Sequence, residues 1–246
     1  MSVSVIYKPK GAAGEYADFA LNIYTGCPHG CTYCYAPRIL HIPRSVFHDN
    51  VYPRKDILER VKAAMLPGSY KGKTIHLCFT CDPYPAGVDS SITREIIKAI
   101  KGNGAHVQIL TKNPQDAMRD FELLDSGDKY GVTLTSTSEN FRKAIEPNAG
   151  TESARIYSLY YASALHIQTW VSFEPVIRQS ETLDLLALVS KKKIADVVYI
   201  GKINYAQPQE TMSWTEFVTR VETICRRNGQ EYTIKHDLLE QVAKKA

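Results

Sequence analysis

The 246-residue sequence contains no long apolar run, and this absence excludes one class of protein. A helix that spans a bilayer needs about 20 consecutive, mostly apolar residues, and no run of even about 18 occurs. The first ten residues, MSVSVIYKPK, lack the apolar centre of a secretion signal. We therefore expect a cytoplasmic protein without a membrane partner. The formal net charge is only +4, which permits a nucleic-acid partner without requiring one.

The sequence also lacks a Ser/Gly-rich linker, a low-complexity tract and a short-period repeat. Hydrophobic residues make up 44% of the chain and charged residues 23%, as in ordinary globular proteins. A chain of this length fits one large α/β domain. We expect a single domain over residues 1–246, with a core at about residues 18–205 and a C-terminal helical segment at residues 206–246.

Cysteine is scarce, but three of the six cysteines fall within eight residues, at Cys27, Cys31 and Cys34. Pro28 and Gly30 favour a loop, so the three thiols can face one object. Soft thiolates select iron–sulfur clusters, zinc or copper(I). A structural zinc site needs four ligands, and this stretch itself offers only three cysteines. The count predicts a 4Fe–4S cluster with one open iron, and a zinc knuckle or a group of free thiols is the alternative.

Strands alternate with helices about six times along the chain. Continuous apolar runs predict strands at residues 19–24, 74–79, 106–110, 131–134, 167–173 and 197–200. Helical periodicity and capping signals predict helices at residues 55–65, 91–100, 114–124, 151–164, 183–189 and 214–226. A short strand at 3–7 precedes them, and another at 232–234 comes before a terminal helix. The fold class is α/β, a partial (β/α)6 TIM-like barrel in a single domain.

Active sites of such barrels lie at the carboxyl ends of the strands, and polar residues follow every predicted strand here. Any one of them alone could be a turn or capping residue. Six strand ends that converge on one barrel mouth favour a site. The candidates at the first five strand ends are Cys27, then Cys81 and Asp82, then Lys112, then Thr135 and Ser136, then Glu174, and the sixth strand ends in the polar segment 201–205.

The CxxxCxxC spacing, with Tyr33 before the last cysteine, resembles the signature of radical S-adenosylmethionine (SAM) enzymes. The further segments CDPYP, SITREII, ILTKN, SFEPV and GKINY resemble the spore photoproduct lyase-like branch of that superfamily, over residues 22–205. The resemblance implies a 4Fe–4S cluster on Cys27, Cys31 and Cys34, with SAM at the open iron. It implies an enzyme that cleaves SAM to a 5′-deoxyadenosyl radical, with lyase-like or DNA-repair chemistry, DNA or RNA as the favoured substrate, and an electron donor such as flavodoxin or ferredoxin.

The resemblance also assigns residues to SAM. Tyr33 matches the aromatic residue beside the adenine. Lys112 and either Thr135 or Ser136 fall where the family holds the SAM carboxylate, and a lysine there can pair with it. Asp82 falls where polar groups receive the SAM ammonium, and a capping role in the following turn is the equal alternative.

Tyr33 and Tyr35 match a tyrosine pair that relays hydrogen in the lyase, where a cysteine at the second strand end donates it. Because Tyr33 is also expected beside adenine, we assign the relay to Tyr35 and Cys81. Residues three apart on a regular strand point to opposite faces, so at most one of Cys78 and Cys81 is expected in the site. Cys78 is then expected in the core.

Glu174 has several possible partners: the SAM ribose, the substrate, Arg155 or Arg178. The cluster loop is followed by basic residues with aromatic residues between them, which suit a nucleic-acid strand or an ordinary solvated rim: Arg38, Arg44, Arg54, Lys55, Tyr35, Phe47 and Tyr52. Two alternative functions stay open. One is an iron–sulfur electron carrier or redox sensor without SAM chemistry, and the other is a radical SAM enzyme that acts on a peptide or small metabolite.

Overall fold

The computed structural model describes residues 4–66, 68–205, 209–210 and 212–243. Parts of the predicted strand at 3–7 and of the segment at 206–246 lie outside the described residues. Ten short strands occur in the described part: β1 (Ile6–Tyr7), β2 (Phe19–Leu21), β3 (Tyr24–Thr25), β4 (Tyr52–Pro53), β5 (Thr74–Leu77), β6 (His106–Thr111), β7 (Lys129–Thr133), β8 (Gln168–Val176), β9 (Val197–Lys202) and β10 (Glu231–Ile234).

The central sheet has eight strands in the order β1-β2-β5-β6-β7-β8-β9-β10. Its neighbouring strands are parallel except β1 and β2, which pair antiparallel, with Ile6 opposite Leu21. The sheet is open, with β1 and β10 at its edges. The six strands expected of the barrel are β2 and β5 to β9. The structure therefore confirms an α/β fold with a partial, TIM-like parallel sheet.

Nine helices of the described chain lie in connections between strands, and a tenth follows the last strand: α1 (Ala36–Ile39), α2 (Arg44–Asp49), α3 (Ile57–Ala64), α4 (Ser91–Gly102), α5 (Pro114–Met118), α6 (Glu139–Ile145), α7 (Glu152–Ala164), α8 (Gln179–Lys192), α9 (Trp214–Asn228) and α10 (His236–Ala243). Local sequence explains where they begin and end. The Ser213 hydroxyl accepts a hydrogen bond from Glu216 N at 3.1 Å and caps α9, and Gly229 ends it in the left-handed conformation. In the described chain, no helix combines the length and apolarity needed to cross a membrane.

Several elements differ from the sequence expectation. The strand predicted at 19–24 divides into β2 and β3, and β3 turns away to pair with β4 as a separate ribbon. The helix predicted at 114–124 ends at Met118 and is followed by a 3₁₀ turn at Phe121–Leu123. Helices α1, α2 and α6 were not predicted, because they are short and give little periodic signal. The strand predicted at 131–134 is β7, which begins and ends earlier.

The two sides of the sheet are packed differently. Val107 and Ile109 of β6 are fully buried in the main apolar core. Between them, Gln108 Nε2 donates to the Tyr16 carbonyl at 3.2 Å, and Tyr16 packs at 5.0–6.1 Å from the rings of His76, Phe79, Trp170 and Tyr199. Gly131 is required beside Trp170, since a Cβ on it would lie 2.4 Å from the indole ring. This aromatic cluster closes the inner side of the cavity described next.

Candidate functional site

The carboxyl ends of the parallel strands meet at a cavity of about 550 Å³. Its lining contains nine of the eleven residues predicted for the site: Cys27, Cys31, Tyr33, Cys34, Tyr35, Cys81, Asp82, Lys112 and Glu174. Thr135 and Ser136 are not in the lining. The cavity thus collects the cysteine loop and four successive strand ends at one place, as expected for a barrel of this type.

Backbone contacts fix the cysteine loop on two sides. Cys27 N donates to the Phe47 carbonyl at 3.2 Å, and Thr32 N donates to the Ile145 carbonyl at 2.9 Å. Gly26 enters the loop with φ of +78°, and a Cβ there would lie 2.4 Å from the Asn50 carbonyl oxygen. Only glycine fits such a position, so the loop begins at a fixed point between α2 and α6.

Basic side chains of α2 bind the carbonyl oxygens of all three cysteines. Arg44 donates to the Cys31 carbonyl at 2.6 Å and to the Cys34 carbonyl at 3.1 Å. His48 Nδ1 donates to the Cys27 carbonyl at 2.7 Å. These bonds hold the backbone of the cysteine loop, and the guanidinium charge of Arg44 acts on the Cys34 thiol. Such outer contacts orient metal ligands and tune the site.

The sulfurs of the three loop cysteines do not all lie within 4.8 Å of one another. Three side chains of the described chain do come that close. The possible metal-binding atoms of His106, Asp125 and Asp128 all lie within 4.8 Å of one another. The three cysteines line one cavity without meeting that limit. A zinc ion about 2.3 Å from each sulfur would bring the sulfurs within about 4 Å. The wider set fits a multi-iron cluster.

Burial raises the pKa of each thiol in the loop: well above the usual value for Cys27, to about 12 for Cys31, and upward for Cys34 as well. Such thiols stay protonated unless a cation replaces their protons. A three-thiol set of this kind, with Cys31 buried and Cys27 and Cys34 half-buried, is suited to a metal cluster. The donor set therefore fits the predicted 4Fe–4S group.

Tyr33 is held from behind by a buried ion pair. Its hydroxyl donates to Glu146, which also accepts from the Thr135 hydroxyl at 3.1 Å and from Arg155 Nη2 at 2.5 Å. Burial raises the pKa of Glu146, but the charges of Arg155 and Lys112 outweigh it, so the net shift is downward. The ring of Tyr33 is thus fixed beside the cavity, with Lys112 Nζ 5.7 Å from its centre. Sequence reasoning gave no role to Glu146.

Thr135 and Ser136 lie behind the cavity wall. The Thr135 hydroxyl belongs to the Glu146 network, and the Ser136 hydroxyl donates to Glu181. Their place in the lining is taken by Thr133, the last residue of β7, whose Oγ1 is 3.4 Å from Lys112 Nζ. The sequence predicts the end of this strand at residue 134 and so points to Thr135 and Ser136, whereas β7 ends at Thr133.

Asp82 joins two strand ends. One carboxylate oxygen accepts from the Thr111 hydroxyl at 2.6 Å and from Tyr84 N at 2.8 Å, and the other accepts from Lys112 N at 2.8 Å. The bond from Tyr84 is the turn cap that the sequence offered as one alternative. His29 Nδ1 lies 3.4 Å from the carboxylate, burial lowers the pKa of this histidine, and its Nε2 has no partner among the described residues.

Both Cys78 and Cys81 line the cavity, which corrects the expectation that at most one of them would. Strand β5 ends at Leu77, so the alternation rule does not extend to the pair. Cys78 is nevertheless only 6% exposed and also contacts the core. Tyr35 reaches the same loop, since its hydroxyl donates to the Phe79 carbonyl at 2.7 Å.

Glu174 pairs with two residues that the sequence did not single out. It accepts from the Tyr16 hydroxyl at 2.6 Å, and Lys235 Nζ lies 3.2 Å from the same oxygen. Lys235 is 1% exposed and follows the end of β10, so the strand-end rule could have found it. Neither Arg155 nor Arg178 reaches Glu174, because each pairs with another glutamate.

The basic residues after the cysteine loop do not act as one surface. Arg44 binds the loop, and Arg54 Nε donates to the Tyr24 carbonyl at 3.1 Å. Arg38 is different, since its guanidinium lies 4.3 Å from the centre of the exposed Tyr205 ring. Both residues line a second cavity of about 340 Å³ on the outer side of the loop.

The fold and the cavity define a class: a partial parallel barrel with three cysteines of one loop in the cavity at its strand ends. Comparison of the sequence with known families identifies the class further. The model of the radical SAM superfamily matches residues 21–201, most of the chain, and the chain belongs to that superfamily. Its cofactors are accordingly a 4Fe–4S cluster and SAM, and it is an enzyme that needs an electron donor. The electron-carrier alternative is therefore not supported.

Similar curated proteins come from distant organisms. The chain is 26% identical over 205 residues to the uncharacterized protein MJ0683 of Methanocaldococcus jannaschii, a match that covers 81% of the chain and 76% of that protein. It is 24% identical over 186 residues to the uncharacterized protein Rv2578c of Mycobacterium tuberculosis, covering 72% of the chain. The chain spans about half, 54%, of the mycobacterial protein.

Solved structures with a similar fold include two enzymes that bind different molecules. Spore photoproduct lyase in complex with a dinucleoside spore photoproduct has a TM-score of 0.65 at 11% identity, covering 92% of this chain and 78% of the lyase. SuiB of Streptococcus suis bound to its precursor peptide SuiA has a TM-score of 0.64 at 12% identity, covering 92% of this chain and 51% of SuiB. At such identities the likeness concerns the fold.

Proposed function

We propose that this protein cleaves SAM reductively and directs the resulting radical to a nucleic-acid substrate in the strand-end cavity. The observation that carries the proposal is the meeting, in one cavity, of the three cysteines, Lys112 and the Tyr35–Cys81 pair. When bound, the cluster and SAM supply one chemistry, the formation of methionine and a 5′-deoxyadenosyl radical. The remaining tasks belong to the residues of the chain.

Lys112 is the residue that would pair with the SAM carboxylate. Its ammonium lies among polar groups of the lining, 3.4 Å from Thr133 Oγ1, while Asp82 accepts from its backbone N–H. A cation at this point can form a charge-assisted hydrogen bond with a carboxylate. Asp82 would then act by fixing the strand ends, and its proposed contact with the SAM ammonium is secondary. The Tyr33 ring would form the wall against the adenine.

Tyr35 and Cys81 would return a hydrogen atom to the substrate radical. The Tyr33 hydroxyl is engaged by Glu146, so this phenol is poorly placed to donate to a substrate. The Tyr35 hydroxyl binds Phe79 O, in the loop that carries Cys81, and the Cys81 sulfur accepts from Tyr24 N at 3.4 Å. Glu174, held by Tyr16 and Lys235 across the cavity, would contact the SAM ribose or the substrate.

A nucleic acid is the substrate class that we favour, because Arg38 and Tyr205 form an exposed cation–aromatic pair beside the cluster loop. Such a pair can contact a phosphate and stack a base. Spore photoproduct lyase, with its dinucleoside ligand, agrees with this choice, whereas SuiB with its peptide supports the alternative of a peptide substrate. Flavodoxin or ferredoxin would supply the electron.

The first test is SAM affinity in anaerobically reconstituted protein. We expect Lys112→Met to weaken SAM binding about 10- to 100-fold, the range for a lost charge-assisted hydrogen bond, with iron content unchanged. Lys98→Met, on the exposed face of α4, is the control and should bind SAM as the wild type does. Unchanged affinity in Lys112→Met would refute the assigned carboxylate position.

The second test concerns the substrate and the relay. SAM cleavage should rise on addition of DNA or RNA, and Tyr205→Ala should reduce this rise while cleavage without substrate stays the same. Stimulation by peptides alone would replace the nucleic-acid proposal. Cys81→Ala should keep SAM cleavage but divert the substrate radical to side products, whereas Cys225→Ala, in α9, should not. If Cys78→Ala alone diverts the products, Cys78 is the donor.

A further inference from the structure

The loop Cys78-Phe79-Thr80-Cys81 carries a second pair of thiols in the same cavity as the cluster cysteines. It directly follows the parallel strand β5. A C-x-x-C segment at such a place is a typical redox motif. The proposed reaction uses only Cys81, so the presence of a partner thiol needs a separate account.

Three side chains fix the shape of this loop. The Asn22 side-chain oxygen accepts from both Phe79 N and Thr80 N at 2.9 Å. Tyr35 donates to Phe79 O, and Arg54 Nη2 lies 3.5 Å from Thr80 Oγ1. The two central residues are therefore anchored through backbone and side-chain atoms. The loop is held as a bend with one cysteine at each end.

The two thiols line the same cavity and differ in their surroundings. The Cys81 sulfur accepts a hydrogen bond from Tyr24 N at 3.4 Å, whereas Cys78 is 6% exposed and packs against the core. Burial raises the pKa of Cys78 well above its usual value. Burial also acts upward on Cys81, but the hydrogen bonds from Cys78 and Tyr24 and the charge of Arg54 outweigh it and lower its pKa. Cys81 is thus the better nucleophile.

We propose that Cys78 and Cys81 form a reversible dithiol–disulfide pair, in which Cys81 attacks and Cys78 resolves. The Cys81 thiolate attacks a small disulfide such as oxidised glutathione, forms a mixed disulfide and releases one glutathione thiolate. The Cys78 thiol then loses its proton, attacks the Cys81 sulfur and releases the second glutathione. The small disulfide is reduced by two electrons, and the protein pair is oxidised by two electrons.

This pair goes beyond the proposed radical reaction and is independent of it. If the relay also operates, only the reduced pair has a hydrogen atom to give, so the thiol redox state would control product quenching. The remaining cysteine outside the cluster loop, Cys225, is fully buried in α9 and does not line the cavity. The pair is therefore chemically separate from Cys225 and, in cluster-loaded protein, from the ligated thiols.

The test is a redox titration of the cluster-loaded protein under anaerobic conditions. The protein is equilibrated with glutathione at a series of reduced-to-oxidised ratios, quenched with acid, alkylated and digested with trypsin. Cleavage after Lys73 and Arg94 gives a peptide, residues 74–94, whose only cysteines are Cys78 and Cys81. We expect the peptide to carry two alkyl groups when reduced glutathione dominates. When oxidised glutathione dominates, the peptide should carry no alkyl group and be lighter than the unmodified dithiol by two hydrogens, and the change should follow a two-electron transition.

Variants separate the two roles. Cys78→Ser should trap glutathione on Cys81, whereas Cys81→Ser should leave Cys78 unmodified, and Cys225→Ser should titrate as the wild type does. The wild-type titration decides the proposal even if a variant fails to fold. A peptide that stays fully reduced at every ratio, or that carries two separate glutathione adducts without an internal disulfide, would overturn it.

Discussion

The buried pair of Glu146 and Arg155 gives the sharpest prediction for stability. Arg155 is 1% exposed, and its guanidinium donates to Gly150 O at 3.0 Å, to Thr133 O at 2.7 Å and to Glu146 at 2.5 Å. Arg155→Met keeps most of the apolar contact but removes all three bonds. It leaves a fully buried carboxylate with only two hydroxyl donors and the more distant charge of Lys112.

Removing one partner of a buried ion pair costs about 3–5 kcal/mol, because the other charge is left without compensation. We expect Arg155→Met to lower the free energy of unfolding by that amount. Glu146→Gln, added to this variant, removes the stranded charge while its amide can still contact Tyr33. The double variant should therefore be more stable than the sum of the single effects predicts, by about 1–3 kcal/mol.

Urea unfolding of the wild type, both single variants and the double variant, followed by circular dichroism, measures this cycle. The same preparations should bind SAM more weakly when the Tyr33 ring loses its support. A loss of unfolding free energy below about 1 kcal/mol for Arg155→Met would refute the reasoning, since removing one charge of a fully buried pair leaves the other charge without compensation. Strict additivity in the cycle would do the same.

Three further outcomes are expected. Cys31→Ala should abolish iron binding while the far-ultraviolet circular dichroism spectrum is retained, because the core lies elsewhere; an unfolded variant would contradict this. Arg44→Met should retain less iron per chain than Arg38→Met, since only the former loses bonds to the cysteine loop, and equal iron contents would refute the role of Arg44. Burial lowers the pKa of His76 from 6.5 to about 3, so below pH 6.5 the unfolded chain takes up a proton that the native state excludes. Stability should therefore fall toward acid by up to about 1.4 kcal/mol per pH unit from this group. Urea titrations of His76→Phe should show a shallower fall between pH 6.5 and 4, and an identical slope would contradict the assignment.

Local sequence was enough to predict the cysteine loop as a candidate cluster site and to predict most of the fold. The three cysteines lie within eight residues, so their loop needs no distant contact to be recognised. Parallel strands buried on both faces give apolar runs that can be read one at a time. Because such strands all point the same way, the residues after them meet at one edge, and nine of eleven predicted residues do line the cavity.

The exact strand ends were less certain from the sequence, and small shifts had large effects. Strand β7 ends one residue earlier than the sequence predicts, and Thr133 lines the cavity in place of the expected Thr135. The early end of β5 brought both Cys78 and Cys81 into the cavity. Strand ends depend on which neighbour supplies the last hydrogen bonds, and a single strand carries no signal for that choice.

Only the tertiary structure decided how the charged residues pair. Glu174 accepts a hydrogen bond from Tyr16 and pairs with Lys235, both far from it in sequence. Arg155 forms its ion pair with Glu146. Many carboxylates and arginines along the chain are chemically equivalent partners. The choice among them is made by the packing of strands and helices that are distant in sequence, because a buried charge is tolerated only where the fold brings its counter-charge within hydrogen-bond distance.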